Sequence, residues 1–136
     1  MKKNQLEKIA VGLALGAGSL DFCTGLGLVL APALALKLMG AASLGAEAVV
    51  YLRWIGAFVT AVGFSYLWSL WRSDVALLRA VLELTIWFRL AAGGYSAWAM
   101  ATGALPLSWV SVPATDFALV AAQVWLLRRG VFRHEV

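Results

Sequence analysis

The chain has 136 residues, 62% of them hydrophobic and 13% charged, with a net charge of +4 and a mean hydropathy of +0.86. A water-soluble domain is about one quarter charged, so this composition excludes an ordinary soluble fold, and the length allows one domain. No clustered basic face on a soluble domain is present, which excludes a nucleic-acid partner.

Four apolar runs fill most of the chain, at 9–30, 49–70, 75–100 and 109–127. Each is close to the ~20 residues that cross a ~30 Å hydrocarbon core as a helix. In hydrocarbon every backbone N–H and C=O must find its partner within the segment, so the runs are predicted to be helices. The expected fold class is all-α: a polytopic membrane protein in which residues 1–136 form a single four-helix transmembrane bundle, with the lipid bilayer as its main partner.

The first run follows Met1-Lys2-Lys3, a start like that of a secretory leader. Its apolar stretch exceeds the 7–15 residues of a leader's apolar region, so it is expected to be a retained span. Gly12 and Gly16 stand four residues apart in it, with Gly18, Gly25 and Gly27 beyond, a spacing that allows close helix contact. Asp21 lies thirteen residues after Lys8, roughly 20 Å along a helix. Cys23, the single cysteine, is expected to be a small buried residue. Beyond this span, Pro32 starts and Gly40 ends a short apolar stretch containing Lys37. That stretch predicts an interfacial helix too short to span.

The second run contains Arg53 near its start, Gly56 and Gly63 one heptad apart, and Trp68 and Trp71 at its end. The third contains Arg79, Glu83, Trp87 and Arg89; Arg89 lies fifteen residues after Asp74, roughly 22 Å along the helix. The loop 101–108 is uncharged. The fourth run contains the ridge Ala114, Ala118 and Ala122, together with Asp116, seven residues after Trp109.

A charge near the bilayer centre costs at least ~2.5–3.5 kcal/mol, so the charges inside the runs need partners. Matched depths predict the pairs Asp21–Arg89 and Arg53–Asp116, and helical spacing predicts Arg79–Glu83. Their plainest role is to set helix register; the alternative is a polar site or proton path around Asp21 and Arg89. Absences bound the chemistry further. His134 is the sole histidine, which excludes a bis-histidine haem within this chain, and one cysteine excludes an intrachain disulfide or CxxC pair. No phosphate-loop lysine motif or GxSxG is present. No catalytic residue, cofactor or metal site is therefore expected, and the chain is read as non-enzymatic.

The order Gly25-Leu26-Gly27-Leu28, Pro32, a short helix to Gly40, then Arg53-x-x-Gly56 and Gly63-x-x-Tyr66-Leu67 resembles the small four-span bacterial proteins of the DoxX-like superfamily, in particular members of unknown function. The resemblance covers the first half of the chain. It implies a four-helix bundle in the bacterial inner membrane. Some DoxX proteins are linked to quinone-dependent sulfur oxidation, but no residue here matches a catalytic residue of that chemistry. The resemblance implies no secure activity, and two functions remain expected. The first is a non-catalytic scaffold or accessory subunit, working as a homo-oligomer or with other membrane subunits. The second is a small oligomeric transporter or channel.

Eight of the eleven basic residues (Lys2, Lys3, Lys8, Arg72, Arg79, Arg128, Arg129 and Arg133) fall on one side of a four-span chain. Basic residues mark the cytoplasmic side, so both termini are expected there. Reporter fusions should read cytoplasmic at Val136 and periplasmic within 101–108; a periplasmic reading at Val136 contradicts both the orientation and the span count.

Overall fold

The computed structural model describes residues 3–132, and of Lys3 its backbone only. Lys2, Arg133 and His134 lie outside the described residues. The described chain is helical, with five α-helices: α1 (Lys3–Leu30), α2 (Pro32–Leu38), α3 (Ala46–Trp71), α4 (Val75–Ala101) and α5 (Ser111–Arg128). A 3-10 turn, Leu107–Trp109, leads into α5, and Pro113 sits in the first turn of α5, where its missing N–H is not needed.

Among the described residues three segments are long and apolar enough to cross a membrane: Asn4–Leu30, Ala46–Trp71 and Leu107–Arg128. They fit a multi-pass membrane protein. At 27 residues α4 matches them in length, but it carries Arg79, Glu83 and Arg89 and is not among the three.

The expected short helix is present as α2. Pro32 occupies its first turn, and Gly40 follows at φ +72°, a left-handed conformation that glycine adopts without strain. Ala35 and Leu36 of α2 are buried with Leu28 and Leu52, so this helix folds back onto one end of the bundle. Ser73 reverses the chain at the other end with a positive φ of 51°, and the Asp74 carboxylate caps α4 by accepting from the Leu77 N–H at 2.9 Å.

The tightest packing joins α1 to α3, which run antiparallel. Gly18 lies level with Gly63 and Tyr66, and Gly25 with Gly56 and Thr60. A Cβ on Gly56 would stand 2.7 Å from the Leu28 Cβ, and one on Gly63 would stand 2.7 Å from the Gly18 carbonyl oxygen. Bare glycines therefore let the two backbones touch, which in lipid replaces the missing hydrophobic drive between helices. Gly12 and Gly16, expected to mark a contact face, make no close contact within the chain: a Cβ on either meets nothing within 4 Å. With Ala114 and Ala118 of α5 they line an open groove of about 550 Å³, so the expected alanine ridge also lacks a close neighbour there. Cys23 is exposed, against expectation. It lies five residues from Gly18, roughly 140° around the helix from the face that meets α3.

These environments separate glycines that the sequence presents alike. Replacing Gly63 by Leu should destabilise the bundle by about 1–3 kcal/mol or more through overpacking. Gly12→Leu should be neutral or stabilising, because the helix gains propensity at no steric cost. Thermal unfolding in mild detergent checks the order; equal losses at the two sites contradict the packing described.

Candidate functional site

The buried polar side chains come together between α1, α3, α4 and α5. Arg89 is their centre. It sits on the face of α4 that also carries Leu78, Leu82, Thr85 and Gly93, so the helix aims its guanidinium into the bundle, and its side chain is 4% exposed. Nη2 donates to Asp21 Oδ2 of α1. Nη1 donates to Asp116 Oδ1 of α5 at 2.9 Å. Each carboxylate is 13% exposed. Gly93, one turn beyond Arg89, makes room for this arrangement, since a Cβ there would stand 3.0 Å from the Asp116 Cβ.

The Asp21–Arg89 pair is the one matched depth predicts. The expected Arg53–Asp116 pair is not formed, and Asp116 bonds Arg89 instead. The α1–α3 register explains why. Gly56 already lies level with Gly25 and Leu28, beyond Asp21, and Arg53 is nearly another turn nearer the end of α3. Arg53 is exposed there, where a long side chain can reach the interface. Arg79 Nε and Glu83 Oε1 pair at 2.9 Å on the outer face of α4, apart from the buried cluster.

A neutral network adjoins the charges. The Arg89 Cζ stands 6.0 Å from the centre of the Tyr66 ring. Thr85 Oγ1 donates to the Val81 carbonyl at 2.7 Å, so its lone pairs are free to accept. Tyr66 Oη therefore donates to Thr85 Oγ1 at 2.6 Å. Gln123 Nε2 of α5 donates to Tyr66 Oη at 2.6 Å, and it also lies 2.7 Å from Thr85 Oγ1 and 3.2 Å from the Leu82 carbonyl. Ser69 Oγ donates to the Tyr66 carbonyl at 2.7 Å. Arg89 Nε and Gln123 Oε1 are buried without a partner among the described residues.

Sequence reasoning missed Tyr66, Thr85 and Gln123. The signal was there: Thr85 precedes Arg89 by one turn, and Gln123 follows Asp116 by one heptad. Both pairs therefore mark a polar face on an otherwise apolar helix. Among the described residues no three His, Cys, Asp or Glu side chains converge as a metal site requires. The arrangement can join three helices through one charge, and it offers two carboxylates to a single guanidinium. No family model, curated protein or solved structure matches this chain.

Because both aspartates share one partner, their losses should not add. Asp21→Asn or Asp116→Asn alone leaves Arg89 paired and should cost about 1–3 kcal/mol. The double variant strands the buried guanidinium and should cost more than the sum. Arg89→Gln should cost about 3–5 kcal/mol. Simple additivity in a double-mutant cycle of unfolding free energies contradicts the shared contact.

Proposed function

We propose that this chain is a non-catalytic integral protein of the bacterial inner membrane, with four spans and both termini cytoplasmic, acting as a scaffold or accessory subunit. In this reading α4 is a span as well, the third of four in chain order. Its length suffices, and its most deeply buried charge is neutralised within the bundle, the condition for keeping an ionised group in hydrocarbon. The resemblance to DoxX-like proteins agrees in span count and in the helix after the first span.

One observation carries the reading. Arg89 is enclosed by carboxylates from two other helices, so the strongest polar interaction is spent on joining α1, α4 and α5. The groove beside it is lined by Gly12, Gly16, Ala114 and Ala118, with no charged side chain among its walls. A charge that does not line that groove serves as a clasp.

A second reading, cation-coupled transport, is favoured by one feature: two carboxylates face one guanidinium, and each is slightly exposed. A carrier needs an acid able to exchange its partner. The two readings differ in solution. Proteoliposomes containing the wild type should show no more cation or proton flux than empty vesicles, and Asp21→Asn should lower thermal stability. Flux that depends on Asp21, in a variant as stable as wild type, overturns the scaffold in favour of the carrier.

A further inference from the structure

We infer that the outward face of α4 is a self-association surface, on which a second copy of this chain docks in parallel about a two-fold axis along the membrane normal. The inference rests on the four-span reading and names the partner and the face it uses.

Two outward faces can be compared. The face of α3 carries Trp54, Phe58, Phe64 and Trp68, with no charge between Arg53 and Arg72, and α3 is apolar enough to cross a membrane unaided. Lipid tails suit it. The face of α4 differs in two respects. First, it carries the Arg79–Glu83 pair, with side chains 35% and 49% exposed. Glu83 lies nine residues from Asp74, roughly 13 Å along the helix and inside hydrocarbon. Lipid tails cannot solvate the remaining hydrogen-bonding capacity of either group. Second, Trp87 lies at the middle of the 27-residue helix and is 71% exposed. An indole N–H prefers the interface, not the bilayer centre, whereas tryptophan is a favoured anchor of protein contacts.

The face repeats as a seam. Ala80, Glu83, Trp87, Leu90, Gly94 and Ala97 follow one another at spacings of three and four, with Arg79 beside them, the period by which parallel helices interlock. A Cβ on Gly94 would meet nothing within this chain, so a second backbone can approach there. The charges are self-complementary. A two-fold axis along the membrane normal brings equal depths together, and Arg79 and Glu83 are one turn apart, roughly 6 Å along the axis. Each arginine can then reach Glu83 of the second copy while the second copy's arginine returns the contact, as an isologous interface requires. Residues on α4 that face inward, Thr85 and Arg89 among them, take no part.

The test pairs two single variants carrying different tags. Arg79→Glu places two acids on the face, and Glu83→Arg places two bases. Each should self-associate at least about tenfold less than wild type, through like-charge repulsion. Co-expressed, the two should recover association with each other, which an ion pair within one helix cannot explain. Unfolding temperatures of the single variants, measured in parallel, should stay near wild type, since the exposed pair contributes little to the fold. In a Cys23→Ala background, Leu90→Cys should form an oxidised dimer in native membranes and Phe58→Cys on α3 should not. Thiol labelling of Ser73→Cys and Ala104→Cys tests the span count separately. Labelling from the same side removes α4 as a span, and the interface with it. Labelling from opposite sides, with a monomeric wild type, no preference between the charge variants, cross-linking through Phe58→Cys alone, or a different protein held on this face, overturns the dimer and leaves the four-span reading standing.

Discussion

The bundle depends on one buried guanidinium held from two sides. Arg89 projects from α4 into a space walled by apolar helices, where an unpaired charge is costly, and Asp21 and Asp116 reach it from α1 and α5. A single carboxylate would have neutralised it. The second adds another helix to the contact and restricts how α1, α4 and α5 can rotate or slide, because a bond to a fixed nitrogen tolerates little change in depth. The guanidinium suits this task, since its donors point in fixed directions and can serve two acceptors at once. Breaking the contact leaves buried ions unmatched, so its influence on the fold exceeds the net worth of the ion pairs themselves.

Two other devices complete the structure. Between α1 and α3 the glycines at 18, 25, 56 and 63 let backbones meet, and contact energy accrues over a long seam of weak dispersion terms. Between α3, α4 and α5 the hydroxyls of Tyr66 and Thr85 and the amide of Gln123 form directed bonds. The three devices differ in kind. The glycine seam is non-directional and gives proximity, the amide–hydroxyl network gives orientation, and the charge cluster gives depth. The α1–α5 side has less of each, and the open groove lies there.

The arrangement also explains where the molecule is unlike a simple lipid-bathed bundle. Charges that the fold can enclose are enclosed. Arg53 sits near the end of α3, where its side chain can reach water. The Arg79–Glu83 pair and Trp87 are left on α4, on a face with no neighbour within the chain. A scaffold that joins copies of itself would use such a surface.

Much of this was legible in the residues alone. Apolar runs of the right length specify helices, because backbone groups in hydrocarbon have no other partner. Pro32 and Gly40 bracket α2 through their own backbone preferences, and the helical spacing of Arg79 and Glu83 makes their pair local. The Asp21–Arg89 contact was legible because both helices count depth from recognisable ends. The Arg53–Asp116 pair was not formed because the α1–α3 register, which the sequence does not show, carries Arg53 beyond the level of Asp21. Which way each helix turns about its axis depends on how neighbours pack, and that left Arg53 outside and brought Asp116 to Arg89. The same rotation divided the glycines: those at 18, 25, 56 and 63 became contacts, while Gly12 and Gly16 faced a groove. Composition and periodicity thus determined what the elements are and set Asp21 and Arg89 at one depth. Only the tertiary structure decided azimuth and partner, because these arise from contacts between segments distant in the chain.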